Sequence, residues 1–224
     1  MLIHETAIWQ IHNNHVGSLQ TNCYFLVHNS TDKALIIDPG DDGDFISEEI
    51  LRLGLTPVAI VLTHGHFDHV GAVLTLKLNF DLPIYLAKED EKIYLGSRQS
   101  SQFWQKGASG HDPTPPIDHY LVDGDHLPEP FENWQIMSVP GHTPGGVIIH
   151  SPMEKIAFSG DTLFSQDIGR TDFSYASRED MAASLRKIFK AFDDDYLILP
   201  GHEESTSMAL ERPNLPHYLK QLGY

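Results

Sequence analysis

Short apolar runs separated by polar turns recur along the first third of the chain. Ala7-Ile8-Trp9-Gln10-Ile11 and Asn22 to Val27 predict strands, and Ala34-Leu35-Ile36-Ile37 predicts a third. The third pairs with the second across the polar turn Asn29 to Lys33, and the turn formers Asp38-Pro39-Gly40 end that hairpin. Phe45, Ile46, Ile50, Leu51 and Leu53 then fall at helical spacing, with Gly54 placed as a C-cap. Val58 to Leu62 is uninterruptedly apolar, the signature of a strand buried on both faces. His69 to Asn79 predicts the next helix, with Val70, Val73, Leu74, Leu76 and Leu78 as its apolar surface.

The same grammar continues beyond it. Pro83 to Leu86 predicts a short strand and Lys88 to Leu95 a helix. Ser97 to Pro116 lacks periodicity and is rich in glycine and proline. A structureless stretch of that length in a compact domain is usually functional or disordered, so residues 97–116 are expected to form a loop near the site, a lid carrying Phe103 and Trp104, with an ordinary surface loop as the alternative. Strands follow at Tyr120 to Val122, Trp134 to Val139, Gly146 to His150, Ile156 to Phe158 and Tyr196 to Leu199, with an amphipathic helix from Met181 to Phe192. No fixed-period repeat interrupts the series. Meander and βα units in two similar halves predict a mixed α+β or α/β chain, with sheets packed together and helices outside.

Composition narrows the class. The chain has 224 residues, enough for one domain spanning 1–224 with a large core. Hydrophobic content of 41% and charged content of 21% are ordinary for a globular protein. No apolar run reaches membrane-spanning length, and the start Met1-Leu2-Ile3-His4-Glu5 lacks the pattern of a secretory signal. Cys23 is the only cysteine, which excludes an intrachain disulfide and a Cys-rich zinc site and suits a cytoplasmic protein. A net charge of −16 disfavours nucleic acid and anionic lipid as partners. A small-molecule substrate is expected instead, and the oligomeric state is left open.

The chemistry concentrates in Thr63-His64-Gly65-His66-Phe67-Asp68-His69, three imidazoles and a carboxylate directly after an apolar strand. Neutral imidazole is the usual ligand of zinc and its neighbours, and carboxylate adds a hard oxygen donor. Three more segments repeat that context. His142 follows Val139-Pro140-Gly141, Asp161 follows Ser159-Gly160, and His202 follows Pro200-Gly201. Each lies in a glycine-bearing turn at the C-terminal end of an apolar strand, where a rigid sheet holds loop side chains at one edge. A lone His142 or His202 would more often be a surface or capping residue, but four segments sharing one context make coincidence a poor account.

Taken in order, H-x-H-x-D-H, His142, Asp161, His202 and the early Asp38-Pro39-Gly40 resemble the metallo-β-lactamase superfamily over nearly the whole chain. The resemblance implies an αββα sandwich with a two-metal site. It assigns His64, His66 and His142 to one ion and Asp68, His69 and His202 to the other, with Asp161 bridging them. Asp38 would support the metal loop without ligating. The expected cofactors are two divalent ions, zinc first, with iron or manganese as alternatives, since the same donors accept all three. Seven donors exceed what one closed structural site needs. The implied reaction is hydrolysis by a hydroxide shared between two ions about 3.5–4 Å apart, with Asp68 also orienting the nucleophile or taking its proton.

Within the superfamily, Gly169-Arg170-Thr171-Asp172-Phe173 resembles the glyoxalase II-like branch, which hydrolyses thioesters such as S-lactoylglutathione. Arg170 would then contact the substrate, the competing reading being a salt bridge to Asp172 or Asp167. Departures are visible. Asp172 and Glu204 stand where that branch has aromatic glutathione contacts, and the residues after His202 are too few for its helical C-terminal domain. The chain therefore resembles the short, single-domain glyoxalase II-like hydrolases. Alternatives are a persulfide dioxygenase with a single Fe(II), a β-lactamase, a phosphodiesterase or nuclease, and a metal-binding module without turnover.

Overall fold

A computed structural model describes residues 1–105 and 111–224 of the chain. It divides into two compact units, Met1–Tyr120 and Leu121–Tyr224. In the first, strands β1 (Leu2–Glu5), β2 (Trp9–Val16), β3 (Thr21–His28) and β4 (Lys33–Ile37) form an antiparallel meander, followed by helix α1 (Gly43–Arg52). Strand β5 (Thr56–Val61) pairs parallel to β4. Helices α2 (Phe67–Val70) and α3 (Val73–Phe80), strand β6 (Ile84–Ala87), helix α4 (Glu91–Trp104) and strand β7 (His119–Leu121) complete a seven-stranded sheet in sequence order. Ile36, Ile60 and Ile84 from the sheet bury against Ile46 and Ile50 of α1 and Val73 and Leu76 of α3. Each fully buried side chain of this kind contributes about 1.5–3 kcal/mol relative to exposure.

The second unit holds β8 (Gln135–Ser138), β9 (Val147–Ser151), β10 (Ile156–Gly160), helix α5 (Arg178–Ala191), β11 (Leu197–Pro200), β12 (Thr206–Ser207), α6 (Met208–Glu211) and α7 (Leu215–Leu222). Its five strands lie in the order β12-β11-β10-β9-β8, with only β10 and β11 parallel. Helix α5 starts where Ser177 caps it, accepting from the Asp180 N–H at 3.1 Å, and carries Glu179 and Asp180 in its first turn. Met181, Leu185 and Ile188 recur at helical spacing and pack with Ile148, Ala157 and Ile198 of the sheet. No helix among the described residues is long and apolar enough to cross a membrane.

Three expectations change. The helix expected from His69 to Asn79 is broken into α2 and α3. The Gly71 N–H donates to Gly40 O at 2.9 Å and the Ala72 N–H to Pro39 O at 3.0 Å, so the Asp38-Pro39-Gly40 turn takes backbone bonds a continuous helix would use. Only glycine fits at 71, where a Cβ would lie 2.3 Å from Gly40 O. The loop expected over 97–116 is helical as far as Trp104, because α4 buries Tyr94, Ser97 and Ser101 at helical spacing. Two of those three are serines, so hydrophobic periodicity does not register the face. Residues 106–110 of that expected lid lie outside the described ones. Helix α7 was not foreseen at all.

Core burial gives the second unit an acid-sensitive point. His150 of β9 is buried beside Phe192, ring centroids 5.1 Å apart, and burial pulls its pKa down to about 4. The unfolded chain takes up this proton near 6.5 and the native one does so only near 4, so stability falls as pH drops through that window, by at most about 1.4 kcal/mol per unit. The stability of wild type relative to His150→Leu should therefore decline between pH 6.5 and 4 in urea titrations; parallel pH profiles would show that His150 charges without cost.

Candidate metal centre

The strand β5 delivers the His64 to His69 segment at its C-terminal end, and a buried carboxylate fixes that segment's shape. Asp38 Oδ1 accepts the Thr63 N–H at 2.7 Å, and Asp38 Oδ2 accepts the Thr63 hydroxyl at 2.6 Å. The same Oδ2 accepts from His69 Nδ1 at 3.0 Å. Thr63 has one hydroxyl hydrogen and has given it to Asp38. Its 3.1 Å contact with His64 Nδ1 must then be a hydrogen bond donated by the imidazole. Both His64 and His69 are thereby set in the tautomer that leaves the lone pair on Nε2, the arrangement that prepares a histidine for a metal.

His64 Nε2 stands 3.1 Å from His66 Nδ1, and His69 Nε2 lies 3.8 Å from Asp68 Oδ2. Helix α2 presents Asp68 and His69 in its single turn, and His66 sits at the N-cap. Gly65 between the ligands donates its N–H to Asp90 Oδ2 at 2.9 Å, and Asp90 is completely buried. Asp38, His64 and His69 bring one ligand-type atom each within 4.8 Å of one another. Asp38 nevertheless acts as their orienter, because both its oxygens are already bound by donors.

The second unit gathers the remaining three residues. Strands β10 and β11 run parallel with Gly160 opposite Pro200, and the Gly201 N–H donates to Gly160 O at 2.8 Å. Asp161 and His202 therefore leave the sheet side by side. His142 occupies the turn after β8, whose carbonyls at Pro140 and Gly141 accept from Ser184 Oγ at 2.7 Å and from the Ser177 N–H at 2.8 Å, so α5 holds it. Asp161 Oδ2 lies 3.6 Å from His142 Nε2 and 3.7 Å from His202 Nε2. Such separations exceed a hydrogen bond but suit donors that each stand about 2.0–2.2 Å from a shared ion. One oxygen therefore neighbours two histidines.

Arg170 has two separate engagements. Its carbonyl accepts from His142 Nδ1 at 2.9 Å, which leaves the lone pair of that imidazole on Nε2. Its guanidinium pairs with Asp172 through Nε at 3.0 Å and Nη2 at 2.9 Å and lies 4.8 Å from the Phe173 ring centre. The salt bridge to Asp172 is thus formed, between two exposed groups. Gly169 is required by close approach: a Cβ there would fall 1.8 Å from Asp161 O and 3.1 Å from His142 Nδ1.

The first unit thus brings His64, His66, Asp68 and His69 together, and the second brings His142, Asp161 and His202 together. Two further carboxylates escaped the sequence reading. Asp90 braces Gly65. Glu211, completely buried in α6, accepts Thr206 Oγ1 at 2.6 Å and the Gln166 N–H at 3.2 Å, tying together the segments that follow His202 and Asp161. Nothing short of tertiary structure signals either one. Cys23 is buried in the first core, where burial pushes its thiol well above the ordinary range and removes it as a nucleophile.

Comparison with known proteins agrees with this donor chemistry. The family model of the metallo-beta-lactamase superfamily matches residues 16–202. A relative, hydroxyacylglutathione hydrolase GloC from Haemophilus influenzae, is 34% identical over 203 residues, covering 90% of this chain and 94% of its own. The crystal structure of the BLEG-1 B3 metallo-beta-lactamase is similar with a TM-score of 0.84 and 32% identity, over 93% of this chain and 99% of that one. TTHA1623, solved in a di-iron-bound form, gives a TM-score of 0.81 and 34% identity over 90% and 96%. The chain has the metallo-β-lactamase fold and belongs to the metallo-beta-lactamase superfamily.

Proposed function

We propose that this protein is a two-metal thioester hydrolase whose two units act as one domain. His64, His66 and His142 would hold one ion, Asp68, His69 and His202 the other, and Asp161 would bridge. The observation that carries this reading is the set of committed Nδ1 hydrogens on His64, His69 and His142, which turns three Nε2 lone pairs into ligands. Bound there, two divalent ions would supply Lewis acidity and a water acidic enough to ionise near neutral pH. The chain itself contributes orientation: Asp38 and the Arg170 carbonyl hold the imidazoles, and Asp68, besides ligating, would orient the attacking water or take up its proton. Similarity to GloC supports a hydroxyacyl thioester as substrate. Zinc is the first choice of metal, and the di-iron form of TTHA1623 supports iron as its rival. The lone buried cysteine suits a cytoplasmic setting.

The test is a substrate panel on zinc-, iron- and manganese-loaded protein, comprising S-lactoylglutathione, a β-lactam, a phosphodiester and glutathione persulfide with oxygen uptake recorded. Two metals per chain and thioester turnover exceeding that of the other substrates in kcat/KM are expected. Metal-free protein in every preparation would sink the site, and oxygen uptake on the persulfide would replace hydrolysis by dioxygenation.

A further inference from the structure

A cavity of about 90 Å³ opens within the first unit, lined by Thr21, Asp41, Asp68, Ser101, Gln105 and His111 among others. At about 30 Å³ per water, it admits about three non-hydrogen atoms, the size of the part of a short hydroxyacyl group that lies beyond its carbonyl. The Asp68 of the candidate centre forms part of its wall, so a group seated here would sit beside the reacting atoms.

The wall has a definite polarity. Ser101 Oγ donates to Gln105 Oε1 at 3.0 Å, which turns the amide so that its NH₂ is the donor left over. His111 Nδ1 lies 2.6 Å from Asp112 O, and a carbonyl only accepts, so Nδ1 carries the hydrogen. His111 Nε2 is then an acceptor, and it is buried without a partner among the described residues, as is Thr21 Oγ1. No lysine or arginine is among the described lining residues, whereas Asp41 and Asp68 are. Asp41 is held in place by the Asp42 N–H at 2.8 Å, and the Gly17 N–H in turn donates to Asp42 at 2.8 Å, so the β2–β3 turn closes the rim. Buried donors and acceptors without partners reject a group that cannot pair with them. An anionic group would meet carboxylates.

We infer that this cavity is the subsite for a short, uncharged, hydroxyl-bearing acyl group, whose hydroxyl accepts from Gln105 Nε2 and donates to His111 Nε2. The inference rests on the thioester reading above and adds to it the residues that choose the acyl group. No change in the chemistry of hydrolysis is implied; the thioester C–S bond breaks as the acyl carbon gains the water oxygen.

Lactoyl, propionyl and succinyl thioesters of one thiol separate the effects, since lactoyl and propionyl differ by a single hydroxyl. Metal-loaded wild type should favour lactoyl over propionyl about tenfold in kcat/KM, the effect of one or two neutral hydrogen bonds, and should turn over succinyl least. Gln105→Leu should bring the lactoyl to propionyl ratio close to one, mainly through KM, and Gln105→Asn should restore part of it. Ser101→Leu should fill the cavity and lower both. Binding of the unreactive S-(2-hydroxypropyl) and S-propyl thioethers, followed by calorimetry, should show the same loss of discrimination in Gln105→Leu without any turnover. An unchanged ratio in Gln105→Leu overturns the subsite while leaving thioester hydrolysis standing. Failure of wild type to cleave any of the three thioesters overturns both.

Discussion

Replacing Asp161 by alanine is expected to lower kcat/KM on a thioester substrate at least about 10³-fold, since in the proposed two-metal scheme loss of the bridging residue removes the electrostatic stabilisation that the two ions would share. The reason is local. Its Oδ2 sits 3.6 Å from His142 Nε2 and 3.7 Å from His202 Nε2, and those two imidazoles belong to different proposed ions. Removing that oxygen would leave each proposed ion a donor short. The backbone of the turn does not depend on the side chain, being held by the Gly201 N–H on Gly160 O, so circular dichroism should match wild type. Bound metal, measured by atomic emission after dialysis, should fall from two per chain to one or fewer. Full turnover in a folded Asp161→Ala protein with two metals bound would remove the bridge from the scheme.

Much of this was legible in the sequence because strands and turns are local. The apolar run Val58 to Leu62 and the motif behind it lie at the end of β5, where a strand end was expected. The hairpin from Asn22 to Ile37 pairs as its apolar runs and the polar turn between them foretell. What failed to show was set by partners distant in sequence. Gly71 breaks a helix because Gly40 O, far along the chain, claims its N–H. Helix α4 extends over Ser97 and Ser101 because small side chains fit its buried face, a feature periodicity of large apolar residues misses. Pro213 and Pro216 punctuate the C-terminal segment, yet Pro216 falls in the first turn of α7, where a missing N–H does no harm. Asp90 and Glu211 carry no sequence signal of their own, and the donors converging on them explain their burial.

Asp38 offers the sharpest separation of fold from function. It is buried, it adopts a left-handed backbone with φ of 50°, and three donors converge on it. Asp38→Ala would leave the Thr63 N–H, the Thr63 hydroxyl and His69 Nδ1 unpaired in the interior. At about 1–3 kcal/mol each and with partial relaxation, stability should drop by about 3–5 kcal/mol, or about 10 °C in Tm. Asp38→Asn keeps the volume but offers one acceptor oxygen and a pair of donors where two anionic oxygens stood. His69 then loses the carboxylate that raises its basicity and fixes its tautomer, and metal affinity should fall about 10–100-fold in a chelator competition titration. A carboxylate that merely caps the Asp38-Pro39-Gly40 turn would give a different pair of results: lower Tm in both variants, with the affinity of folded Asp38→Asn for zinc unchanged. A loss of affinity that exceeds what the stability change explains assigns Asp38 to the metal loop, since its contact to His69 Nδ1, and through the Thr63 hydroxyl to His64 Nδ1, connects this buried carboxylate to the lone pairs of two proposed ligands.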